Sequence, residues 1–259
     1  MADNSDNQVI AASAEGIRKS FSGPEGRIPV LDTVSIQLPS RSFTSIIGPS
    51  GCGKTTFVKI MVGLVKPDSG SVSVRQSPQD PRQSMAYMPQ SDTLLPWRTA
   101  LDNSILALQV EGVSLAAARD QGGRMMARFG LSGFESLYPS QLSGGMKQRL
   151  ALIRTFLARR EVLLLDEPLG SLDALTRSTV QDWLLEVWVE LGKTILLVTH
   201  DVEEASMLSD TVYLFSQRPA RVLKTWAIIE PRPRSRSSKA ISQAKESILS
   251  LIHKVATND

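Results

Sequence analysis

Gly48-Pro49-Ser50-Gly51-Cys52-Gly53-Lys54-Thr55 is the stretch from which the arrangement of the whole chain can be read. It fits the pattern G-x-x-x-x-G-K-[ST]. The apolar run from Phe43 to Ile47 before it predicts a buried strand, and Thr56 to Val65 after it has helical character. A strand, a glycine-rich turn and a helix are the context a phosphate loop needs. Glycines let successive backbone N–H groups turn inward to form a concave anion site, and a helix beginning near Lys54 adds the positive end of its dipole. Lys54 would then reach the terminal phosphates of a nucleotide, and the Thr55 hydroxyl would help hold Mg²⁺. The alternative is a glycine-rich turn that only joins strand to helix.

The 259 residues, 42% hydrophobic and 21% charged, are enough for one large core with attached subdomains. No apolar run approaches the roughly 18 residues needed to span a bilayer, and the polar, acidic start Met-Ala-Asp-Asn-Ser-Asp-Asn-Gln is unlike a signal peptide. A soluble cytosolic chain is expected. The single cysteine, Cys52, excludes an internal disulfide and suits a reducing compartment. A net charge of +3 is too mild to argue for nucleic acid, and the one basic cluster, Pro231-Arg232-Pro233-Arg234-Ser235-Arg236, reads as a solvated linker.

Residues 1–12 read as a disordered start. A strand ending in Arg18-Lys19-Ser20-Phe21, a turn cluster at Ser22 to Gly26, and alternation at Val30, Val34, Ile36 and Leu38 predict an antiparallel sheet ahead of the loop. Phe21 lies about 27 positions before Gly48, where an aromatic can stack on adenine for roughly 1–3 kcal/mol by analogy with base stacking. A Phe buried in the sheet fits the spacing equally well. Past the loop helix, Ser71 to Val74 is a short strand, and Met85 to Met88 a core strand with Gln90 at its carboxyl end. An amide there can ligate Mg²⁺ or hold an attacking water. Leu94-Leu95-Pro96-Trp97 places large apolar groups in a loop, as a local core or as a partner surface, before helical stretches at about 99–110 and 114–129.

Leu142-Ser143-Gly144-Gly145-Met146-Lys147-Gln148-Arg149 opens a helix running to about Arg159, a second helix N-terminus suited to an anion. Val162 to Leu165 is a buried parallel strand that carries Asp166 and Glu167 to the ligand edge. Asp166 suits the Mg²⁺ shell through water, and Glu167 suits a general base for a water aimed at a γ-phosphate. Either acid alone would fit a simple helix start. Leu175 to Leu191 is an amphipathic helix with its tryptophans in the core, and the strand Thr194 to Val198 delivers Thr199-His200-Asp201 to the same edge. The second histidine, His253, sits in a tail helix whose apolar face is Ile241, Ala244, Ile248 and Ile252, and has no assigned role.

With the phosphate loop, Gln90, Leu142 to Gly145, Leu165-Asp166-Glu167-Pro168, Ser171-Leu172-Asp173 and His200 in this order, the chain resembles the ATP-binding cassette (ABC) transporter ATPases from about residue 8 to 228. The resemblance implies an α/β fold: a P-loop NTPase (RecA-like) core with an N-terminal antiparallel β subdomain and an inserted α-helical subdomain at about 95–145. Domain 13–230 is then the nucleotide-binding unit, and 231–259 a basic linker and C-terminal helix. It implies ATP and Mg²⁺ as cofactors. ATP would be bound by Phe21, Gly48, Pro49, Ser50, Gly51, Cys52, Gly53, Lys54, Thr55 and Thr56, and by Ser143, Gly144 and Gly145 facing the site of a second ATPase subunit, identical or paralogous, in a head-to-tail dimer. Thr55, Gln90 and Asp166 would hold the metal, and Glu167, His200, Gln90 and Lys54 would carry catalysis. Asp173 would communicate across the dimer.

Val62, Ile153 and Thr155 stand where many members carry alanine on helix faces, and Ser171 where alanine is common before Leu-Asp. These departures leave the catalytic set intact. Leu94 to Thr99 with Asn103, Leu172 to Arg177, Thr199 to Ala205 and Gln217 to Arg221 are similar to importers of nitrate, alkanesulfonates and taurine, and to relatives handling thiamine-pyrimidine precursors or bicarbonate. Such importers imply membrane permease subunits, an extracytoplasmic solute-binding protein, and a place on the cytoplasmic face of the membrane without nucleic acid. A soluble, non-transport ABC ATPase is the competing class. DNA-organising members insert long coiled coils between loop and signature, whereas only about 95 residues separate Gly48 from Ser143, with no sustained heptads.

Overall fold

The computed structural model describes residues 9–24, 26–75, 80 and 84–257, the side chains of 253 and 255–257 excepted. Two long strands, β1 (Ile10–Gly23) and β2 (Gly26–Pro39), pair antiparallel. β3 (Phe43–Ile47) leads through the glycine-rich turn into α1 (Lys54–Met61), and β4 (Ser69–Val74) returns to the free edge of β1, completing a three-stranded sheet β2-β1-β4. Ala11 and Ala12 are already buried in β1, so the expected disordered start is too long at its inner end; residues 1–8 lie outside the described residues.

The second sheet is built from β5 (Met85–Met88), β6 (Val162–Asp166), β7 (Thr194–Val198), β8 (Thr211–Phe215) and β9 (Val222–Ala227) around β3, in the order β5-β6-β7-β3-β8-β9. All pairs are parallel except β8 with β9. Every residue of β3, β6 and β7 is buried, as expected of strands covered on both faces. Alternate residues feed two cores: Leu163, Leu165, Ile195 and Leu197 pack with the helices on one face, while Val162, Leu164, Leu196 and Val198 pack with α1 and the antiparallel sheet on the other.

The helical insertion consists of α2 (Ala100–Ser104), α3 (Leu106–Val110) and α4 (Leu115–Arg128). The single helix expected over 99–110 is two short ones that meet at Ile105. These helices pack on α5 (Gly144–Leu157), which begins at the Ser143 cap and stops two residues before the expected Arg159. α6 (Ala174–Leu191) buries Trp188 and half-buries Trp183 against Phe129, so both tryptophans serve the core. α7 (Val202–Leu208) follows β7, and α8 (Lys239–Thr257) closes the chain, with Ile241 and Ile248 buried against β8 and α7. The side chain of His253 lies outside the described residues.

The basic run after Pro231 is not a solvated linker. The Arg234 side chain is 1% exposed and donates to the carbonyls of Ser206, Met207, Ser209, Ile228 and Glu230. Arg232 stacks on Trp188, pairs with Asp210 and donates to the Leu208 carbonyl. A helix leaves its last carbonyls without intrahelical partners, and two guanidinium groups satisfy those of α7. Burial lowers the Arg234 pKa to about 10, still far above neutrality, so the buried group keeps its charge. Sequence spacing gives no sign of this contact, because the carbonyls at the end of α7 lie 24 to 28 residues away from the two arginines.

Candidate active site

Parallel strands place their carboxyl ends on one edge, so the segments after β3, β5, β6 and β7 converge there. The phosphate loop follows β3. Gly53 has φ +124 and an added Cβ would meet Val30 Cγ1 at 2.9 Å; one at Gly48 would meet the Phe215 carbonyl at 2.9 Å. Glycine is required at both by backbone geometry and by close approach. Lys54, almost buried, turns back so that Nζ donates to the Gly48 and Pro49 carbonyls at 2.8 and 2.9 Å, which keeps the ammonium over the loop. Cys52 is a packing residue, and burial raises its thiol pKa, away from the reactive thiolate.

A 260 Å³ cavity is lined by Ser50, Gly51, Gly53, Lys54, Thr55, Thr56, Gln90, Glu167 and Arg218. Beside it a 430 Å³ cleft is lined by Gln90, Ser91, Asp92, Gly144, Gln148, Glu167, Gly170, Ser171 and His200. Gln90 and Glu167 belong to both. Glu167 Oε2 accepts from Gln90 Nε2 at 3.0 Å, and Oε1 lies 3.6 Å from His200 Nδ1, so three residues read separately in the sequence form one cluster. The Glu167 backbone has φ 50, a left-handed conformation costly for a side-chain-bearing residue. It is held by its own N–H on the Val198 carbonyl at 2.8 Å and by Gln148 Nε2 on its carbonyl at 3.0 Å.

Asp166 is 1% exposed at the end of β6. Burial raises its pKa, while hydrogen bonds from the Thr55 and Tyr87 hydroxyls act to lower it. Its Oδ1 is buried and has no hydrogen-bond partner. An unpartnered carboxylate oxygen beside a threonine hydroxyl suits a hard, oxygen-ligated cation, so Thr55 and Asp166 fit Mg²⁺. Gln90 reaches the same cavity, with its amide nitrogen on Glu167.

Phe21 lies on β1 away from both cavities' linings. It is 42% exposed, with Lys19 Nζ 5.4 Å from its ring centre, which excludes the buried-Phe alternative. Ser143 caps α5 by accepting from the Met146 N–H at 3.3 Å and stays exposed. Asp173 caps α6 in the same way at 3.0 Å, and that hydrogen bond lowers its pKa. Neither Ser143 nor Gly145 lines the phosphate-loop cavity of this chain.

Two residues escaped the sequence reading. Gln148 Oε1 accepts from the Ser171 N–H at 3.3 Å and from its hydroxyl, so it ties the signature helix to Glu167 on one side and to Ser171 on the other. A signal existed: Gln148, Ala151, Leu152, Thr155 and Phe156 follow the i, i+3, i+4 pattern of the buried face, where a glutamine needs polar partners. Arg218 donates from Nε to the Gly51 carbonyl at 2.5 Å, 167 positions away, and no local pattern marks it. The Ser171 hydroxyl, absent from an alanine, thus has a partner of its own. Val62, Ile153 and Thr155 are accommodated in the core, Thr155 with its hydroxyl on the Ala151 carbonyl.

This fold and this edge, with a phosphate loop on the third strand and acids on the sixth, place the chain among the P-loop NTPases. The family model described as ABC transporter matches residues 31–170. Similar proteins include a taurine import ATP-binding protein of Chromobacterium violaceum, 43% identical over 80% of each chain. A formylaminopyrimidine import ATP-binding protein of Halalkalibacterium halodurans is 41% identical over 74% of this chain and 75% of its own. An aliphatic sulfonates import ATP-binding protein of Bacillus cereus is 35% identical over 93% and 95%. Among solved structures, a dimeric bacterial ABC transporter cassette superposes with a TM-score of 0.76 at 27% identity, covering 85% of this chain and all of that one. The chain belongs to the ABC transporter ATP-binding proteins, and it is an ATPase of their import branch.

Proposed function

We propose that this chain binds MgATP between two head-to-tail cassettes and hydrolyses it to drive uptake of a small solute through a separate permease. The observation that carries the reading is the cluster of Gln90, Glu167 and His200 at the mouth of the phosphate loop. Lys54 and the loop N–H groups bind the phosphates; Thr55, Asp166 and Gln90 would hold Mg²⁺, which supplies charge neutralisation at the β- and γ-phosphate oxygens when bound. Glu167 accepts the proton of a water aimed at the γ-phosphate, Gln90 and His200 hold the carboxylate in line, and His200 faces the γ-phosphate. Phe21 stacks on adenine. The described residues hold no helix long and apolar enough to cross a membrane, which agrees with a chain at the cytoplasmic face that relies on a permease for the path.

A composite site is supported by the signature segment. A Cβ on Gly144 would meet nothing within 4 Å in this chain, so the packing of one subunit does not explain the glycine, whereas close approach of a second subunit's nucleotide would. The cassette with a TM-score of 0.76 was solved as a dimer, and again with ADP and Pi. Ser143→Arg should leave the chain folded and able to bind ATP but block the closed dimer, because a long cation replaces a small donor at the facing phosphates. Light scattering with MgATP checks this; normal dimerisation contradicts the composite site.

The permease contact is assigned to the loop at Leu94-Leu95-Pro96-Trp97. Leu94 is core, but Trp97 is 71% exposed. Buried Asn103 accepts from the Leu95 N–H at 2.8 Å and donates to the carbonyls of Leu95, Arg98 and Thr99, so the indole is presented on a rigid loop. Arg154 of α5 holds the Asp92 and Thr93 carbonyls, joining this loop to Gln90 by a few residues. An exposed indole on a fixed frame fits a groove for a cytoplasmic helix of the permease, where its burial contributes roughly 2–3 kcal/mol. Trp97→Ala should melt within about 0.5 kcal/mol of wild type yet lose co-purification with the permease. Strongly lowered melting, or intact association, rules the groove out.

The solute is a small organic or inorganic anion such as a sulfonate, taurine or nitrate; two of the three relatives above carry taurine or sulfonate import in their names, which supports the sulfonates. The formylaminopyrimidine relative supports a thiamine-pyrimidine precursor as the second reading, beside bicarbonate. Uptake of labelled taurine, alkanesulfonate, nitrate, bicarbonate and formylaminopyrimidine by cells with and without this chain separates them. Recovery of the chain from cells with ribosomes or DNA, and not with an integral membrane protein, would overturn the transport reading in favour of a soluble ABC ATPase.

A further inference from the structure

Glu204 has no part in the site described so far, yet it is 3% exposed and sits on the first turn of α7, four residues beyond His200. A buried carboxyl is costly unless it does something for its surroundings. Its Oε2 accepts from the Thr199 hydroxyl, and the same Thr199 oxygen accepts from the Asp201 N–H at 3.0 Å. These two bonds flank His200 on both sides. The Thr199 N–H is meanwhile fixed at 3.2 Å to the carbonyl of Ile46, on the strand that feeds the phosphate loop. The His200 side chain is 64% exposed and lies 3.6 Å from Glu167, so its position depends largely on the backbone that carries it.

We infer that Glu204 is a positioning residue for ATP hydrolysis, holding the His200 loop in register with Glu167 through the Thr199 hydroxyl and the Asp201 N–H. The chain of contacts continues outward. Asp201 caps α7 by accepting from the Glu203 and Glu204 N–H groups, and pairs at 3.2 Å with Arg177, which donates to the Leu172 carbonyl at 3.0 Å. The loop of His200 is thereby tied to the Ser171-Leu172-Asp173 segment. Burial pushes the Glu204 carboxyl up to about 7, with Asp201 and Glu167 adding to the rise and the Thr199 hydrogen bond and Arg177 opposing it. The amide oxygen of a glutamine can accept the same bond from the Thr199 hydroxyl.

The inference rests on the proposed role of His200, and the test separates the two. MgATP turnover of the full chain is measured per titrated ATP site for Glu204→Ala, Glu204→Gln, Thr199→Val, Thr199→Ser and the Glu204→Ala/Thr199→Val double variant, beside His200→Ala. Glu204→Ala and Thr199→Val should each lower kcat roughly tenfold, the scale of one lost hydrogen bond, with KM within about twofold. Glu204→Gln and Thr199→Ser should stay within about threefold of wild type, and the double variant should be no slower than either single one, since both break one connection. Additive losses, a Glu204→Gln as slow as Glu204→Ala, or a lowered melting temperature with unchanged kcat would overturn the inference. If Glu204→Ala does not fold, the Thr199 pair decides alone. Full turnover in His200→Ala removes the histidine's role itself; loss in His200→Ala with none in Thr199→Val removes only the positioning.

Discussion

Glu167→Gln is expected to bind MgATP with nearly wild-type affinity and to lose turnover by 10²–10⁴-fold, about 3–5 kcal/mol of barrier. The substitution keeps the shape of the side chain and its contacts with Gln90 and His200, and it leaves the phosphate loop untouched. It removes only the capacity to accept a proton from water. The strained backbone at Glu167 is fixed by Val198 and Gln148, so the amide should occupy the place of the carboxylate rather than relax away from it. Hydrolysis stops with the nucleotide still bound, and the consequence should be an ATP-trapped dimer, visible as a mass shift in light scattering that persists after excess ATP is removed. Turnover above about a tenth of wild type would mean that another group is the base.

Lys54→Ala is expected to abolish productive binding. The ammonium is almost buried and is held by two loop carbonyls at 2.8 and 2.9 Å. Its loss leaves the phosphate charge without its main protein partner and leaves both carbonyls without their donor. Truncating one member of a buried charge pair costs about 2–5 kcal/mol, so isothermal titration with MgATP should show affinity weakened by at least about thirtyfold. Lys54 is the first residue of α1, whose helical bonds and packing are made by Phe57, Val58, Ile60 and Met61, so the melting temperature should change little. Unchanged affinity would take the phosphate loop out of the mechanism.

The elements that the sequence announced are those whose signals are local. The loop pattern between an apolar strand and a helix, the apolar run ending in Asp166 and Glu167, and the strand delivering His200 each depend on a few neighbouring residues, and each lies where it was expected. The helix boundaries between 99 and 129 were legible to within one or two residues, apart from the break at Ile105. Trp97 illustrates the limit. Four apolar residues in a loop admit a core or a partner surface, and only packing shows that Leu94 is inside while Trp97 is not.

From sequence alone come the phosphate loop, the order of the motifs and the parallel character of the strands, because hydrophobic period, glycine placement and helix caps act over short stretches of chain. Tertiary structure decides what long-range contacts decide. The carboxyl ends of four parallel strands bring Lys54, Gln90, Glu167 and His200 to one edge, although 146 positions separate the first from the last. Gln148 is turned onto both Glu167 and Ser171, and Arg232 and Arg234 are drawn from an expected linker onto the end of α7. The reason is common to all of these: a buried polar group must find partners wherever the fold places them, and a residue's neighbours in space are fixed by the packing of whole elements rather than by its neighbours in the chain.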